Sequence, residues 1–149
     1  MHKITSFIIC IFCVMSICAA APKTHSVSSP DGTLTVKVSG DSFSVLKNGT
    51  AVIAPSRTSM VLDNGSVISV NAGTSKVRIE SFDKVIVSPV YKKSEVRDCY
   101  NEMVMTFPGY KVIFRAYDEA IAYRFVSTLK KPFKVIGEKT NIAMPCDCD

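Results

Sequence analysis

The 149-residue chain has no Trp and only two His, and 21% of its residues are charged. With no Trp, it lacks the residue that most readily builds a flat aromatic sugar-binding platform. His25 is the only histidine beyond the first few residues, which leaves general acid–base chemistry on imidazole, or a Ser–His pair, without a centre. No glycine-rich phosphate loop occurs, and no segment has the periodicity of an amphipathic helix of useful length. The net charge of +5 is modest, and the basic residues fall singly or in pairs such as Lys92-Lys93 and Lys130-Lys131. Dense basic runs that follow a phosphate backbone are missing, which argues against nucleic acid as a partner. At 47% hydrophobic, the composition is that of a globular chain, and its length allows one ordinary domain.

What the sequence does have begins with an export signal. His2 and Lys3 precede an apolar run from Phe7 to Ile17, followed by Ala19, Ala20 and Ala21. This is the basic, apolar and small-residue order of a secretory signal peptide, with cleavage expected after Ala20 or Ala21 and the product periplasmic or secreted. The run is shorter than the roughly 20 residues a spanning helix needs, so no membrane anchor is expected. Ile17 stands where a small residue would precede a lipidated Cys18, which disfavours a lipoprotein. Removal of residues 1–21 takes Cys10, Cys13 and Cys18 with it and leaves Cys99, Cys146 and Cys148. An odd number of thiols supports at most one intramolecular disulfide, with the pairing open. Cys146 and Cys148 without a nearby His fall short of a four-ligand zinc set, so no metal site is expected there.

After the signal the pattern is strand-like almost throughout. Thr33-Leu34-Thr35-Val36-Lys37-Val38 alternates at period two, behind the turn Ser29-Pro30-Asp31-Gly32. Asn48-Gly49 separates Phe43–Lys47 from Thr50–Ala54, and Asn64-Gly65 separates Met60–Leu62 from Val67–Val70. Asn-Gly between alternating runs is a strong signal for a tight hairpin. Both turns also read as glycosylation sequons, Asn48-Gly49-Thr50 and Asn64-Gly65-Ser66, though turn chemistry is sufficient reason for them. Further strands are predicted at Lys76–Phe82, Asp83–Val87, Arg97–Phe107, Lys111–Tyr117, Ala120–Val126 and Phe133–Ile136. Short strands at this spacing predict an all-β antiparallel sandwich or barrel. Carboxylates stand at Glu95, Asp98, Glu102, Asp118 and Glu119. Asp118-Glu119 reads as an interstrand turn, and Asp98 and Glu102, which flank basic residues in a polar segment, as hydrogen-bonded rather than as a catalytic pair.

Two segments are more distinctive. The stretch from Tyr91 to Glu102 reads YKKSEVRDCYNE, and that from Phe114 to Phe125 reads FRAYDEAIAYRF. With Ser29-Pro30-Asp31-Gly32, Ala54-Pro55-Ser56-Arg57 and the later Glu138-Lys139-Thr140-Asn141, in this order and spacing, the chain resembles the N-terminal domain of glycoside hydrolase family 97 over its whole length after the signal. The resemblance implies that residues 22–149 form part of a β-supersandwich like that of galactose mutarotase. Such a domain stands ahead of a (β/α)₈ barrel in calcium-dependent bacterial α-glucosidases and α-galactosidases. The family's catalytic acid and base or nucleophile lie in that barrel, and its calcium carboxylates in the barrel and a later part of the N-terminal domain. No catalytic residue, metal ligand or cofactor is therefore carried onto this sequence. The resemblance implies instead a domain that braces the missing barrel and a site for α-linked carbohydrate, with Arg97, Asp98, Asn101, Glu102 and Arg124 at the interface or the sugar-site rim. The other reading of these five is internal hydrogen bonding. A stand-alone carbohydrate-binding or structural β-sandwich is the alternative, with Tyr91, Tyr100, Tyr110, Tyr117 and Tyr123 as its aromatic candidates. A half-built sandwich would expose apolar faces and unpaired edges, and poor solubility is expected of it.

Overall fold

The computed structural model describes residues 22–87, 89, 92 and 94–146. Residues 1–21, expected to be a signal peptide, and Tyr91, Lys93 and Cys148 lie outside these. Among the described residues all regular structure is strand. The strands in chain order are β1 (Thr24–Ser28), β2 (Leu34–Ser39), β3 (Ser42–Lys47), β4 (Thr50–Leu62), β5 (Val67–Ser69), β6 (Lys76–Val87), β7 (Glu95–Phe107), β8 (Tyr110–Ala116), β9 (Ile121–Ser127) and β10 (Val135–Ala143). They form two sheets, β1-β2-β3-β4-β10 with β5 also on β4, and β6-β7-β8-β9, in which every pairing is antiparallel. The fold is the all-β antiparallel sandwich expected from the sequence.

Period-two patterning places the core. Val27, Val36, Val38, Phe43 and Val45 project from the first sheet onto Met103, Met105, Phe107, Val112, Phe114 and Ala116 of the second, with Val70 and Ala72 closing one side. The cross-strand partners Val36 and Val45, and likewise Val38 and Phe43, share that inner face, as opposed residues in a ladder must. Tilted ring contacts from Phe43 to Phe114 and to Tyr123 join the two sheets.

The turns follow their local chemistry. Asn48 and Gly49 both take positive φ, of 50° and 81°, which is the two-residue I′ geometry matched to strand twist. The second Asn-Gly turn differs. Only Gly65 has positive φ, the Gly65 N–H bonds to the Leu62 carbonyl, and the Leu62 N–H bonds to the Ser66 carbonyl. Asp63-Asn64-Gly65 is thus a three-residue loop ending in a left-handed glycine, and the Asn64 side chain accepts the Ser66 N–H instead of adopting positive φ.

Two pairs of expected strands are continuous. Thr50–Ala54 and Met60–Leu62 belong to β4, which runs through Pro55, and Lys76–Phe82 and Asp83–Val87 are one strand, β6. In β4 the irregular pairing with β3 lies just before Pro55, where Ile53 opposes Val45 and Ser56 opposes Phe43. A bulge of this kind tolerates a residue with no N–H. Beyond it β4 is flanked by β5 on one edge and β10 on the other, since Ser59 pairs with both Ser69 and Lys139. The strand expected at Phe133–Ile136 begins two residues later and runs on to Ala143, because β4 offers it a long edge.

Candidate functional site

Strand β7 carries four of the five candidate residues, and its register divides them. Residues of β7 at odd positions share a face with Met103 and Met105, toward the first sheet, while those at even positions point away from it. Arg97 and Asn101 therefore lie on the inner face, and Asp98 and Glu102 on the outer. Arg124, on β9, is directly opposite Ile113 and belongs to the outer face as well. The structure brings the five residues onto one sheet, but not to one site.

On the inner face, β8 pairs with β7 only from Asn101 onward, so the β6–β7 hairpin continues past the first sheet as a two-stranded arm. At the base of the arm an open recess of about 330 Å³ is lined by Pro30, Ser81, Phe82, Asp83, Cys99 and Asn101. Arg97 grips Asp83 across the strands with two bonds, Nε to Oδ1 at 2.8 Å and Nη2 to Oδ2 at 2.7 Å. The bidentate bond lowers the Asp83 pKa and raises that of Arg97, so both stay charged. The Asn101 Nδ2 donates to the Ser28 carbonyl at 2.8 Å and ties β7 to the end of β1. Nearby, Asp31 accepts from the Ser29 and Thr33 hydroxyls and the Thr33 N–H, while the Asp31 N–H donates to Asp118 in the β8–β9 turn. These bonds, the Ser29 hydroxyl foremost, hold the Asp31 carboxyl down at about 2. They dock the first turn onto the second sheet. The recess thus presents the Asp83 carboxylate, a hydroxyl and an amide, with Arg97 held on Asp83 beside it, groups suited to hydrogen-bonding vicinal hydroxyls.

On the outer face, Glu102 is buried and accepts from the Arg115 Nε at 2.8 Å. Arg115 lies over the Tyr100 ring at 4.4 Å, and Tyr100 packs against Phe82 and Tyr117, each at 5.0 Å. Burial pulls the Arg115 pKa down, but the bonds to Glu102 and Tyr117 outweigh it and the net shift is upward. Asp98 meets Lys84 at 3.6 Å. Glu102 and Asp98 are thus paired, with basic residues of other strands and not with their neighbours in sequence. Their partners Arg115 and Lys84, and the Asp83 partner of Arg97, were not singled out from the sequence. Their only signal there is charge of opposite sign on another strand, and it becomes readable once the register is known.

Among the described residues the tyrosines do not form a platform. Tyr100 is buried and Tyr110, Tyr117 and Tyr123 are half-buried, with the Tyr110 hydroxyl bonded to the Ser69 carbonyl. His25 sits on β1 opposite Val38, and its Nε2 is buried without a hydrogen-bond partner. No group of three or more His, Cys, Asp or Glu converges as a metal site among the described residues.

A family model described as Glycosyl-hydrolase 97 N-terminal matches residues 27–149. The chain belongs to this family. A retaining alpha-galactosidase of Bacteroides thetaiotaomicron is 40% identical over 151 aligned residues, which cover 99% of this chain and 22% of that protein. Among solved structures, a glycoside hydrolase family 97 enzyme from Pseudoalteromonas sp. strain K8, in complex with acarbose, superposes with a TM-score of 0.67 at 22% identity over 81% of this chain and 20% of its own. A beta-arabinopyranosidase superposes equally well, at 0.67 and 23% identity, over 81% of this chain and 21% of its own. These two likenesses are of fold. The chain thus spans about a fifth of the length of the relatives it matches, and corresponds to their N-terminal domain.

Proposed function

We propose that this chain is the non-catalytic N-terminal β-sandwich of an exported family 97 glycoside hydrolase, and that it braces a catalytic barrel and contributes to the rim of a site for α-linked galactosides or glucosides. The observation that carries the reading is the 40% identity to a retaining alpha-galactosidase, aligned over almost all of this chain and only 22% of that enzyme. Glycoside hydrolysis by the usual route needs two carboxyl groups about 5–9.5 Å apart across the scissile bond, one acting as acid. Here Glu102 is bonded to Arg115, Asp83 to Arg97, Asp98 meets Lys84, and Asp31 is held ionised in its turn. These carboxylates are committed to structure. The inner-face recess, with Arg97, Asp83 and Asn101, is the surface we assign to the sugar-site rim. Export rests on the signal-like residues 1–21, and calcium, if the complete enzyme uses it, would be bound outside the described residues.

Hydrolysis of 4-nitrophenyl α-galactoside and α-glucoside tests the reading. The 149-residue chain alone is expected to release no nitrophenol, and the source organism's polypeptide in which this sequence runs into a barrel is expected to cleave one of the two. Turnover by the 149-residue chain would overturn it, as would a barrel-containing polypeptide inert toward both substrates.

A further inference from the structure

The outer face of the second sheet has a feature that structural pairing does not explain. Across the β8–β9 ladder Arg115 is opposite Ala122 and Ile113 is opposite Arg124. On a pleated face each side chain normally fills the space over its neighbours. A methyl group at Ala122 leaves that space empty, and a recess of about 120 Å³ opens there, lined by Ile113, Arg115, Tyr117, Ala122, Tyr123 and Arg124. One water needs about 10–15 Å³ measured this way, so the recess accommodates a ring-sized group.

Its two cations are unlike each other. Arg115 is fixed by the Glu102 carboxylate and the Tyr100 ring, and its charge is balanced by Glu102. The Arg124 side chain has no hydrogen bond or ion pair among the described residues. The other arginines of the chain, Arg57, Arg78 and Arg97, are matched to Asp41, Glu80 and Asp83. Arg124 is therefore the one arginine without a counter-charge among the described residues, and it stands at the edge of a recess with an apolar floor. A planar guanidinium fork matches a carboxylate with two parallel bonds. The remaining walls, Ile113 and Tyr117, suit the C–H face of a pyranose.

We propose that this recess binds an acidic monosaccharide unit, a hexuronate, with its carboxylate on Arg124 and its ring over Ala122 between Ile113 and Tyr117. The site is on the opposite face from the Arg97–Asp83 recess and needs no part of the hydrolytic reading.

Titration of the full chain with galacturonate, galactose and acetate, followed by NMR or calorimetry, tests it. Saturable binding of galacturonate is expected, with acetate and galactose each weaker by about tenfold or more, as loss of a charge-assisted contact implies. Arg124→Gln should weaken galacturonate by a similar factor, Arg124→Lys by less, and Ala122→Leu should abolish binding by filling the recess. Both positions are solvent-facing, so an unchanged melting temperature verifies that the variants fold. No galacturonate binding, binding indifferent to both Arg124→Gln and Ala122→Leu, or acetate or galactose binding as tightly as galacturonate would each overturn the proposal.

Discussion

The two halves of β7 are one strand in two environments. From Asn101 to Phe107 it lies between β6 and β8 and beneath the first sheet, and Met103 and Met105 are fully buried. From Glu95 to Tyr100 it pairs with β6 alone. Around that half Val85, Ile86, Val87 and Val96 are exposed, Val87 to 71%. The two halves also differ in sequence, since Glu95, Arg97 and Asp98 make the first largely polar while Met103-Val104-Met105 in the second is a continuous apolar run. Composition and neighbours act together here: a third strand and a facing sheet cover the apolar run, and the polar half is left as a solvated ladder. The arm's apolar surface is open to solvent, while the core between β1–β3 and β7–β9 is continuous without it.

Variants on either side of the division test this comparison. Phe114→Ala removes the largest fully buried side chain, which contacts both Phe43 and Tyr123, and should cost about 3–5 kcal/mol in a denaturant titration. A loss below about 1 kcal/mol would mean that the two sheets are not cooperatively packed. Glu102→Gln leaves the Arg115 guanidinium without its carboxylate in a partly buried setting and should cost about 1–3 kcal/mol. If the melt is unmoved, the outer-face cluster is not held by that pair.

Asp31 sits at the boundary, where the first turn clamps the second sheet. Its pKa is lowered from 3.8 to about 2 in the folded chain, so the unfolded chain takes up its proton first as pH falls. The stability it contributes is complete above the unfolded value and is lost as pH drops through about 2. Asp31→Asn should flatten the acid limb of the melting-temperature profile between about pH 4 and 2, and an unchanged limb would assign acid sensitivity to other carboxylates. The smallest effect is expected in the arm. Val87→Thr should shift stability by less than about 0.5 kcal/mol while raising solubility. A large destabilisation would show that the arm is packed in solution, contrary to its exposure.

Much of the strand content was readable in advance because alternation and turn chemistry are local. The hairpin at Asn48-Gly49, the alternating β2 and β3, and the Asp118-Glu119 turn all stand where the residues place them. The structure departs from the sequence pattern at Pro55 and at Phe82-Asp83, where a break in alternation does not end the strand. At Pro55 a bulge absorbs the missing N–H, and at Phe82-Asp83 a regular partner, Tyr100 and Cys99, carries the ladder through. Of the five candidate residues, Glu102 and Asp98 could be read as hydrogen-bonded from their basic neighbours. Their partners could not be named, because Arg115 is 13 residues away from Glu102 and is reached only through the β7–β8 register.

The sequence by itself determined the all-β class, the turn positions, the absence of a histidine-centred site and, through its distinctive segments, the family. Tertiary structure alone decided that Arg97 and Asn101 face the open end of the sandwich while Asp98, Glu102 and Arg124 face away from it, and that Arg124 is left without a counter-charge beside a recess at Ala122. The physical reason is the strand period of two. Parity within a strand is local and can be counted along the chain, but which parity faces the core, and which residue of another strand lies opposite, is set only when the sheets pair and pack.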